Sequence, residues 1–360
     1  MKPLRVLFVV RPDASSKFGG DITLARNNFE AVKELGVAGE FVETDRPDPR
    51  GYDIAHIFNV GQPDVCKRQM DACEQAGVRV ALSPVWLDLR EFFGRATAYE
   101  RLFVRGRASA SVDKVLAKYL KRDSNWFLSG RQRRHLEVRL AQQKALLERA
   151  AVLLPNSAIE ARDCLLQVGV RDRPMVVVPI PATLEPAQYW QAERKGLLAI
   201  GRIETRKNQT GLLYAMRDDN MEIDLVGAIY HANLAKACLR WCPRARFHGS
   251  VPREQMLQML GRASVHALVS WCETAGIATL EAAAAGAKIV VADRGAEVEY
   301  FADDAEYADP ADPKSIRAAV LRAFARPPRT RGDTLDQRIR KLTWRHAADE
   351  TMRAYQIALM

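Results

Sequence analysis

Short apolar runs alternate with helical patterns along most of the chain, and this alternation restricts the fold more than any other feature. Residues 4–10, 54–58 and 78–82 are apolar runs of strand length, and a helical pattern from Asp21 to Gly36 follows the first of them. Strands that alternate with helices predict a parallel, doubly wound α/β sheet. With 360 residues, 48% of them hydrophobic and 27% charged, the chain is long enough for two such domains.

A second series of the same kind follows a cluster of prolines. Pro179, Pro181 and Pro186 disfavour both helix and central strand, so we expect the linker between two domains there. Further strands are predicted at residues 197–200, 223–226, 246–248, 265–269 and 289–292. The predicted domains are residues 1–180 and 190–342, followed by a terminal helix over residues 343–360.

Residues 90–150 interrupt the first series and hold almost all of the excess charge. Strand patterns are absent there and return at residues 152–154 and 175–178. Between Arg90 and Arg149 there are 15 Lys and Arg against six Asp and Glu, whereas the whole chain has a net charge of +10. We therefore expect a basic helical insertion in the N-terminal domain, which serves either an anionic partner or solubility alone.

The sequence predicts no membrane span and no export signal. Its apolar stretches are far shorter than the ~18 residues that a span needs, and residues 4–10 are too short and too closely flanked by arginine for a signal peptide. The six cysteines form no CxxC pair, so reduced thiols are expected. Cys238 and Cys242, with His231 and His248 nearby, match no common zinc spacing. We expect a cytoplasmic protein, with peripheral contact at the inner face of the membrane as a further expectation.

The loop after the first strand of the second series holds fixed cations. Residues 201–208 read Gly-Arg-Ile-Glu-Thr-Arg-Lys-Asn. Ligands of open α/β sheets bind at the carboxyl ends of the strands, where Arg and Lys suit a diphosphate. From this loop alone, a solvated charge run before a helix is an equal alternative.

Residues 271–281 combine two carboxylates with the start of a helix. Glu273 is expected in a loop after the strand at 265–269, and Glu281 about two turns further along the helix. Two carboxylates at this spacing can accept hydrogen bonds from separate hydroxyl groups of one long ligand, and Gly276 lets helix-start amides approach a phosphate. The apolar neighbours of Glu281 disfavour the alternative that it only caps or solvates the helix.

Together these loops resemble the donor-binding half of the GT-B glycosyltransferases of family 4. The resemblance covers most of residues 197–360 and includes residues 247–251, near the family's nucleotide base, and the final Thr343-Trp344 helix. It implies that Arg202 and Lys207 hold the donor diphosphate, that Glu273 contacts the donor sugar and that Glu281 binds the ribose hydroxyls. The other donor-site positions that it implies are Gly201, Asn208, Val251, Thr274, Ala275, Gly276 and Ile277.

The N-terminal half matches the family more loosely. Gly19 and Gly20 resemble the glycine-rich loop near the phosphates and the acceptor, with a plain turn as the alternative. His56 resembles a residue at the end of a strand on the family's acceptor side, with a packed core histidine as the alternative. The basic cluster Arg131, Arg133 and Arg134 is predicted on the acceptor side. The chain departs from the family at residues 82–88, which lack the usual histidine, and at residues 274–278, which replace Gly-Phe-Gly-Leu-Pro.

The resemblance implies a retaining glycosyltransferase with a GT-B fold, in which two Rossmann-like domains face across a cleft. Its catalytic residues would be Arg202, Lys207 and Glu273, its donor a nucleotide-diphospho-sugar, and its acceptor a saccharide or lipid-linked sugar in bacterial-type polysaccharide or lipopolysaccharide synthesis. Neither a metal nor a nucleic-acid partner is expected. Two alternatives remain open at this point: another GT-B reaction such as a nucleotide-sugar epimerase or phosphorylase, and a non-enzymatic nucleic-acid binder that uses the aromatic and basic residues of the insertion.

Overall fold

The structure is a computed structural model that describes residues 3–16, 19–184, 189–190 and 193–360. Pro186, one of the three linker prolines, lies outside the described residues. The chain divides into two compact units. Unit 1 comprises Met1–Leu87, Arg134–Pro181 and Leu342–Met360, and unit 2 comprises Asp88–Arg133 and Ala182–Lys341.

The strands and helices follow the predicted alternation. The strands are β1 Arg5–Val10, β2 Ala38–Glu43, β3 Ile54–Phe58, β4 Arg79–Ser83, β5 Val152–Leu153, β6 Lys195–Ile200, β7 Ile223–Val226, β8 Arg246–Phe247, β9 Ala263–Leu268, β10 Lys288–Ala292 and β11 Ala305–Ala308. The α-helices are α1 Gly20–Glu34, α2 Pro63–Gln75, α3 Thr97–Arg105, α4 Ser109–Tyr119, α5 Gly130–Leu147, α6 Ala158–Asp163, α7 Gln209–Ala215, α8 Ala232–Trp241, α9 Arg253–Arg262, α10 Ile277–Ala284, α11 Glu297–Phe301, α12 Pro313–Ala325, α13 Thr334–Lys341 and α14 Trp344–Leu359.

Unit 1 is built on a parallel sheet with the strand order β2-β1-β3-β4-β5. Its central strands β1 and β3 are buried on both faces, which matches their unbroken apolar sequences. The terminal helix α14 packs on α1, where Asn28 donates a hydrogen bond to Thr351 over 3.0 Å. Thr343 caps this helix by accepting a hydrogen bond from the amide of His346 over 3.1 Å, as serine and threonine do at helix starts.

Unit 2 is built on a parallel sheet with the strand order β11-β10-β9-β6-β7-β8. The chain enters this sheet at β6, continues to β7 and β8 on one side, and returns to β9 on the other side of β6. The loops after β6 and β9 therefore leave the sheet at the point where the strand order reverses, which is where such sheets bind ligands. The prediction of two doubly wound α/β domains is confirmed.

The first part of the basic insertion packs in unit 2, whereas the sequence led us to expect it in the N-terminal domain. Asp88–Arg133 belong to unit 2, and most of α5 belongs to unit 1. The reason is an aromatic cluster in which Tyr99 and Phe103 of α3 pack against Tyr214 of α7 and Trp241 of α8. The indole nitrogen of Trp241 also donates to the carbonyl of Phe103 over 2.9 Å.

Two predicted strand assignments differ from the structure. Residues 175–178 form one bridge, from Met175 to Leu153. The amides of Val176 and Val178 donate to the carbonyls of Leu153 and Pro155 over 2.9 Å, but Pro155 has no N–H group with which to continue the ladder. Strand β11 was not predicted, since its sequence Ala-Glu-Tyr-Ala is only four residues long and includes Glu306.

Candidate functional site

The two loops singled out in the sequence lie side by side in unit 2. Residues 201–208 follow β6 and residues 270–276 follow β9, and these strands are hydrogen-bonded neighbours. The amide of Trp271 donates to the carbonyl of Arg206 over 2.9 Å. The guanidinium of Arg206 donates to the carbonyl of Cys272 over 3.3 Å. The two loops are thus joined by hydrogen bonds at the carboxyl edge of the sheet.

Lys207 and Glu273 form an ion pair between the two loops. The ammonium of Lys207 donates to Oε2 of Glu273, and a guanidinium nitrogen of Arg206 lies 3.5 Å from Oε1. Burial acts to raise the pKa of Glu273, but the charges of Lys207 and Arg206 outweigh it and hold this pKa well below the usual value for a glutamate. Glu273 is therefore an ionised carboxylate with both oxygens engaged by cations.

Arg202, the other predicted cation, is more open. Its guanidinium donates to Oε1 of Glu204 over 3.3 Å and lies 5.3 Å from the ring centre of Tyr230. One third of its side chain, 33%, is exposed. Gly201 passes beneath Lys207, where an added Cβ would lie 3.5 Å from that side chain. Arg202 can still offer N–H groups to a phosphate.

Asn208 shapes the first loop through contacts with the protein backbone. It follows the 3-10 helix Thr205–Lys207 with a left-handed φ of 55°, a conformation that asparagine adopts more readily than most residues. Its side-chain amide donates to the carbonyls of Val269 over 3.1 Å and Pro310 over 2.9 Å, and only 2% of the residue is exposed. In this structure the Asn208 side chain is therefore buried against the protein and does not line a space that a nucleotide-sugar could occupy.

Glu281 lies in the middle of α10 and is 3% exposed. Its Oε1 accepts hydrogen bonds from the hydroxyl of Thr183 and from the guanidinium of Arg253, the latter over 2.9 Å. Neither partner could be predicted from the sequence, because neither belongs to a recognisable motif. A buried carboxylate held by polar groups is suited to exchange them for the hydroxyls of a ligand.

The remaining predicted donor positions surround the start of α10. Gly276 is the residue before this helix, and a Cβ there would lie 2.9 Å from Oγ1 of Thr279 and 3.0 Å from Leu268. The first helical hydrogen bonds are donated by Thr279 and Leu280 to the carbonyl of Gly276. The amides before them are free to bind an anion, as at other helix starts. Thr274 and Ala275 precede Gly276, Ile277 opens the helix, and Val251 lies half-buried in the loop after β8.

The insertion touches the first donor loop, which the sequence did not indicate. The hydroxyl of Thr205 donates to a carboxylate oxygen of Glu100 on α3. The ring of Tyr99 lies 5.3 Å from that of Trp271, which opens the second loop. A guanidinium nitrogen of Arg294, in the loop after β10, lies 2.7 Å from Glu91. Insertion residues therefore support all three loops at this edge of the sheet.

The residues predicted on the acceptor side lie apart from these loops in sequence. Gly19 precedes α1 and Gly20 opens it. His56 is 0% exposed, and its ring nitrogens pair with the hydroxyls of Tyr355 and Ser83 at 2.8 and 2.9 Å. Burial lowers the pKa of His56 to about 3, so it is a neutral core residue and does not face an acceptor. Arg131, Arg133 and Arg134 are exposed in the first turn of α5.

Among the described residues, no group of three or more His, Cys, Asp or Glu side chains is arranged to hold a metal ion. The six cysteines are buried and unpaired. Within the described part of the chain, no helix is long and apolar enough to cross a bilayer.

Solved structures with the same fold span nearly the whole chain. Sucrose-phosphate synthase from Thermosynechococcus elongatus is 17% identical, with a TM-score of 0.69 and 98% of each chain covered. The Anabaena protein Alr3699/HepE, in complex with UDP and glucose, is 14% identical, with a TM-score of 0.62, and the match covers 98% of this chain and 95% of that chain. The lipopolysaccharide outer core galactosyltransferase WaaB is 10% identical, with a TM-score of 0.64, and covers 98% of this chain and 99% of that chain.

These likenesses and the two doubly wound sheets define the fold as GT-B. Residues 184–341, which contain the joined loops, match the family model of the glycosyl transferases group 1. The chain thus has the GT-B fold over nearly its whole length, and its residues 184–341 form a glycosyltransferase domain of group 1. No curated protein matches its sequence at a significant level.

Proposed function

We propose that the chain is a retaining glycosyltransferase that moves a sugar from a nucleotide-diphospho-sugar to a saccharide or lipid-linked acceptor in bacterial-type polysaccharide or glycolipid synthesis. The observation that carries the proposal is the joined pair of loops in which Lys207 and Arg206 meet Glu273. The Anabaena protein with the same fold is in complex with UDP and glucose, which supports a UDP-sugar as the first donor to test.

A thermal-shift screen with UDP, GDP, dTDP and their sugars tests the donor site. A ligand of the folded state raises the melting temperature by mass action, so at least one nucleotide diphosphate is expected to do so. Incubation of the stabilising sugar donor with the enzyme alone is expected to leave its sugar unchanged. An altered sugar in that sample would instead favour an epimerase, and stabilisation by none of the nucleotides would contradict the proposal.

Within this proposal, cations of the protein neutralise the departing diphosphate. Lys207, Arg202 and the free amides at the start of α10 form a set of preorganised donors, which stabilise developing charge better than water does. We expect equal turnover with and without EDTA. Loss of turnover in EDTA that Mg²⁺ or Mn²⁺ restores would overturn this part of the proposal.

Retention is proposed to proceed by a front-face displacement in which the leaving phosphate helps to deprotonate the acceptor. Glu273 is poorly placed to act as a covalent nucleophile, because Arg206 lies 3.5 Å from its carboxylate and remains there when Lys207 binds the diphosphate. Proton NMR of the first product is expected to show the anomeric configuration of the donor sugar. An inverted configuration would contradict this mechanism.

We also propose that the insertion docks on an anionic membrane that bears the acceptor. Ten of its exposed cations form no ion pair within the described part of the chain; they are Arg101, Arg105, Arg107, Lys114, Lys118, Lys121, Arg122, Arg131, Arg133 and Arg134. Among them lies Trp126, which is 53% exposed and has the guanidinium of Arg122 5.1 Å from its ring centre. Tryptophan favours the membrane–water boundary, and each nearby cation contributes ~1 kcal/mol of attraction to an anionic surface.

Co-sedimentation with vesicles tests this docking. The native protein is expected to bind phosphatidylglycerol vesicles at low salt and to bind phosphatidylcholine vesicles or high-salt samples far less. Arg133 donates to the carbonyl of Asn125 over 2.6 Å, so replacing it also disturbs the turn before α5. Two triple variants are therefore compared. The first replaces Arg131, Arg133 and Arg134 by Gln; the second replaces Lys121, Arg122 and Arg131 by Gln and keeps the hydrogen bond of Arg133.

A variant with Arg345 and Arg353→Gln on α14, which removes two exposed cations outside the insertion, is the control and is expected to bind like the native protein. If binding is the same for neutral and anionic lipid, at low and high salt, and in both triple variants, the insertion has no membrane role.

A further inference from the structure

Glu297 is a buried carboxyl group next to the donor loops that the proposed function does not use. It opens α11 in the loop after β10, and β10 is the hydrogen-bonded neighbour of β9. The residue is 0% exposed, and neither carboxyl oxygen has a hydrogen-bond partner. Native proteins rarely leave such a group unpaired, because the cost of desolvation is then not offset.

Gly295 brings the Glu297 carboxyl close to the second donor loop. A Cβ on Gly295 would lie 2.2 Å from the carbonyl oxygen of Glu273 and 3.4 Å from Oε2 of Glu297. The positive φ of 69° at Gly295, together with this close approach, explains why only glycine fits there. Gly295 therefore packs against the backbone of the residue that is proposed to contact the donor sugar, and the Glu297 carboxyl lies beside Gly295.

The charges around Glu297 determine its protonation. Burial and the neighbouring Glu273 carboxylate raise its pKa well above the usual value, whereas Lys207 and Arg206 oppose the rise. Burial and the nearby Glu297 raise the pKa of Tyr307 to about 12, and its neutral hydroxyl donates to the carbonyl of Ala302 over 2.6 Å. These effects favour the protonated form of Glu297, whose carboxyl oxygens have no hydrogen-bond partner while Glu273 is engaged by Lys207 and Arg206.

Donor binding changes which partners are available in this cluster. The proposed function, on which this inference rests, requires the Lys207 ammonium to bind the donor diphosphate. Glu273 then loses the closer of its two cations and can accept a hydrogen bond. We propose that Glu297 is a positioning residue that holds Glu273 through a carboxyl–carboxylate hydrogen bond once Lys207 turns to the diphosphate. No proton is transferred in this step, because the O–H group of Glu297 only gains an acceptor.

Two substitutions separate this role from a purely structural one. Glu297→Gln keeps the size, the neutral charge and an N–H donor, whereas Glu297→Met keeps the volume without a donor. We expect the affinity for the nucleotide-sugar to change less than threefold in E297Q and to fall by roughly 10- to 100-fold in E297M, the range for a hydrogen bond to a charged group. Affinity for the nucleotide diphosphate alone is expected to fall less. The probes are UDP, GDP and dTDP and their glucose or mannose derivatives, measured by calorimetry.

The pH dependence of unfolding tests the protonation of Glu297 without any ligand. A carboxyl whose pKa is raised in the folded state binds its proton more tightly there, so its contribution to stability is lost as the pH rises above the unfolded value of ~4.5. The urea midpoint of the native protein is expected to fall relative to that of E297Q between pH 5 and pH 8. The exposed Glu148→Gln variant is the control and should follow the native curve.

The outcomes distinguish the two proposals. If the native protein binds a nucleotide-sugar but E297Q and E297M lose equal affinity, or if the native and E297Q midpoints run parallel with pH, the role of Glu297 is overturned and the function stands. If no nucleotide binds the native protein, the function fails and the role of Glu297 in holding Glu273 fails with it.

Discussion

Lys207 contributes both to the chemistry of the proposed donor site and to the stability of the fold. Its ammonium pairs with Glu273 and thereby links the loops after β6 and β9. The same ammonium is one of the cations that bind the diphosphate in the proposed function. A change at this position therefore acts on both properties, and the two effects can be measured separately.

We expect Lys207→Ala to lower kcat by ~10²–10³ at saturating donor, because it removes one stabilising group from the leaving diphosphate. The fold should persist, since Arg206 remains 3.5 Å from Glu273. Initial rates and a circular dichroism melt test this, with the exposed Arg345→Ala variant as the control. Near-native turnover would show that Lys207 does not serve the diphosphate.

The two glutamates are expected to respond to different parts of the donor. Glu281→Ala should weaken binding of both the nucleotide diphosphate and the nucleotide-sugar, because Glu281 is assigned to the ribose. Glu273→Ala should weaken only the nucleotide-sugar. Calorimetry on both variants with both ligands measures these affinities. If both variants lose the same affinity for both ligands, the assignment of Glu281 to the ribose and of Glu273 to the sugar is wrong.

The residues that could be predicted from sequence are those whose role depends on a local pattern. Lys207 and Glu273 each follow a predicted strand, and the sheet order then places them together. Glu297 was not predicted, although it follows the predicted strand at 289–292, because its lack of hydrogen-bond partners depends on the packing around it. His56 was assigned to the acceptor side, yet its partner Tyr355 lies 299 positions away in the chain.

At the scale of elements, the composition of the insertion predicted its helices but not the unit in which they pack. Helical spacing and positive charge are local features, whereas the partners Tyr214, Trp241 and Trp271 come from three separate elements of unit 2. A sequence without aligned relatives offers no signal for such contacts. The same limit explains why β11 was not predicted, since this short strand is ordered mainly by its pairing with β10.

We expect Tyr99→Ala to weaken nucleotide binding even though Tyr99 belongs to the insertion. The change leaves a cavity beside Trp271, and large-to-small substitutions of buried aromatics cost ~3–5 kcal/mol. The melting temperature and the nucleotide Kd test this prediction. Tyr99→Phe is the matched control, because it removes only a buried hydroxyl that has no partner. An unchanged Kd in a destabilised Tyr99→Ala protein would show that the insertion does not support the donor loops.

The terminal helix α14 offers a contrasting test in unit 1. Tyr355→Phe leaves Nδ1 of the buried His56 without its partner at 2.8 Å, which is expected to lower the free energy of unfolding by ~1–3 kcal/mol. Nucleotide affinity should not change, since both residues belong to unit 1. Urea unfolding and calorimetry measure the two effects. The exposed Arg353→Ala variant on the same helix should alter neither.

At the scale of the whole molecule, each unit has its own hydrophobic core and its own set of thiols. Cys66, Cys73 and Cys164 are buried in unit 1, and Cys238, Cys242 and Cys272 are buried in unit 2. Burial raises the pKa of Cys66, Cys73 and Cys272 to about 12, so little reactive thiolate exists in the folded protein at neutral pH. Alkylation therefore reports the opening of each unit.

We expect the stabilising nucleotide to protect only the unit 2 thiols from iodoacetamide in moderate urea. A ligand stabilises the unit that it binds by mass action, and cores that open separately respond separately. Mass spectrometry of each cysteine peptide, with and without nucleotide, measures the rates. Equal protection of all six thiols would show that the units open together.

The packing of Asp88–Arg133 with unit 2 also determines how this enzyme can be recombined with others. A chimera joined only at the proline linker would take Ala182–Lys341 without the segment that covers Tyr214, Trp241 and Trp271. Such a transplant would expose three large aromatic side chains and would be prone to aggregate. A graft that moves Asp88–Arg133 together with Ala182–Lys341 keeps this cluster intact. The module that can be exchanged is therefore discontinuous in the gene although it is compact in space.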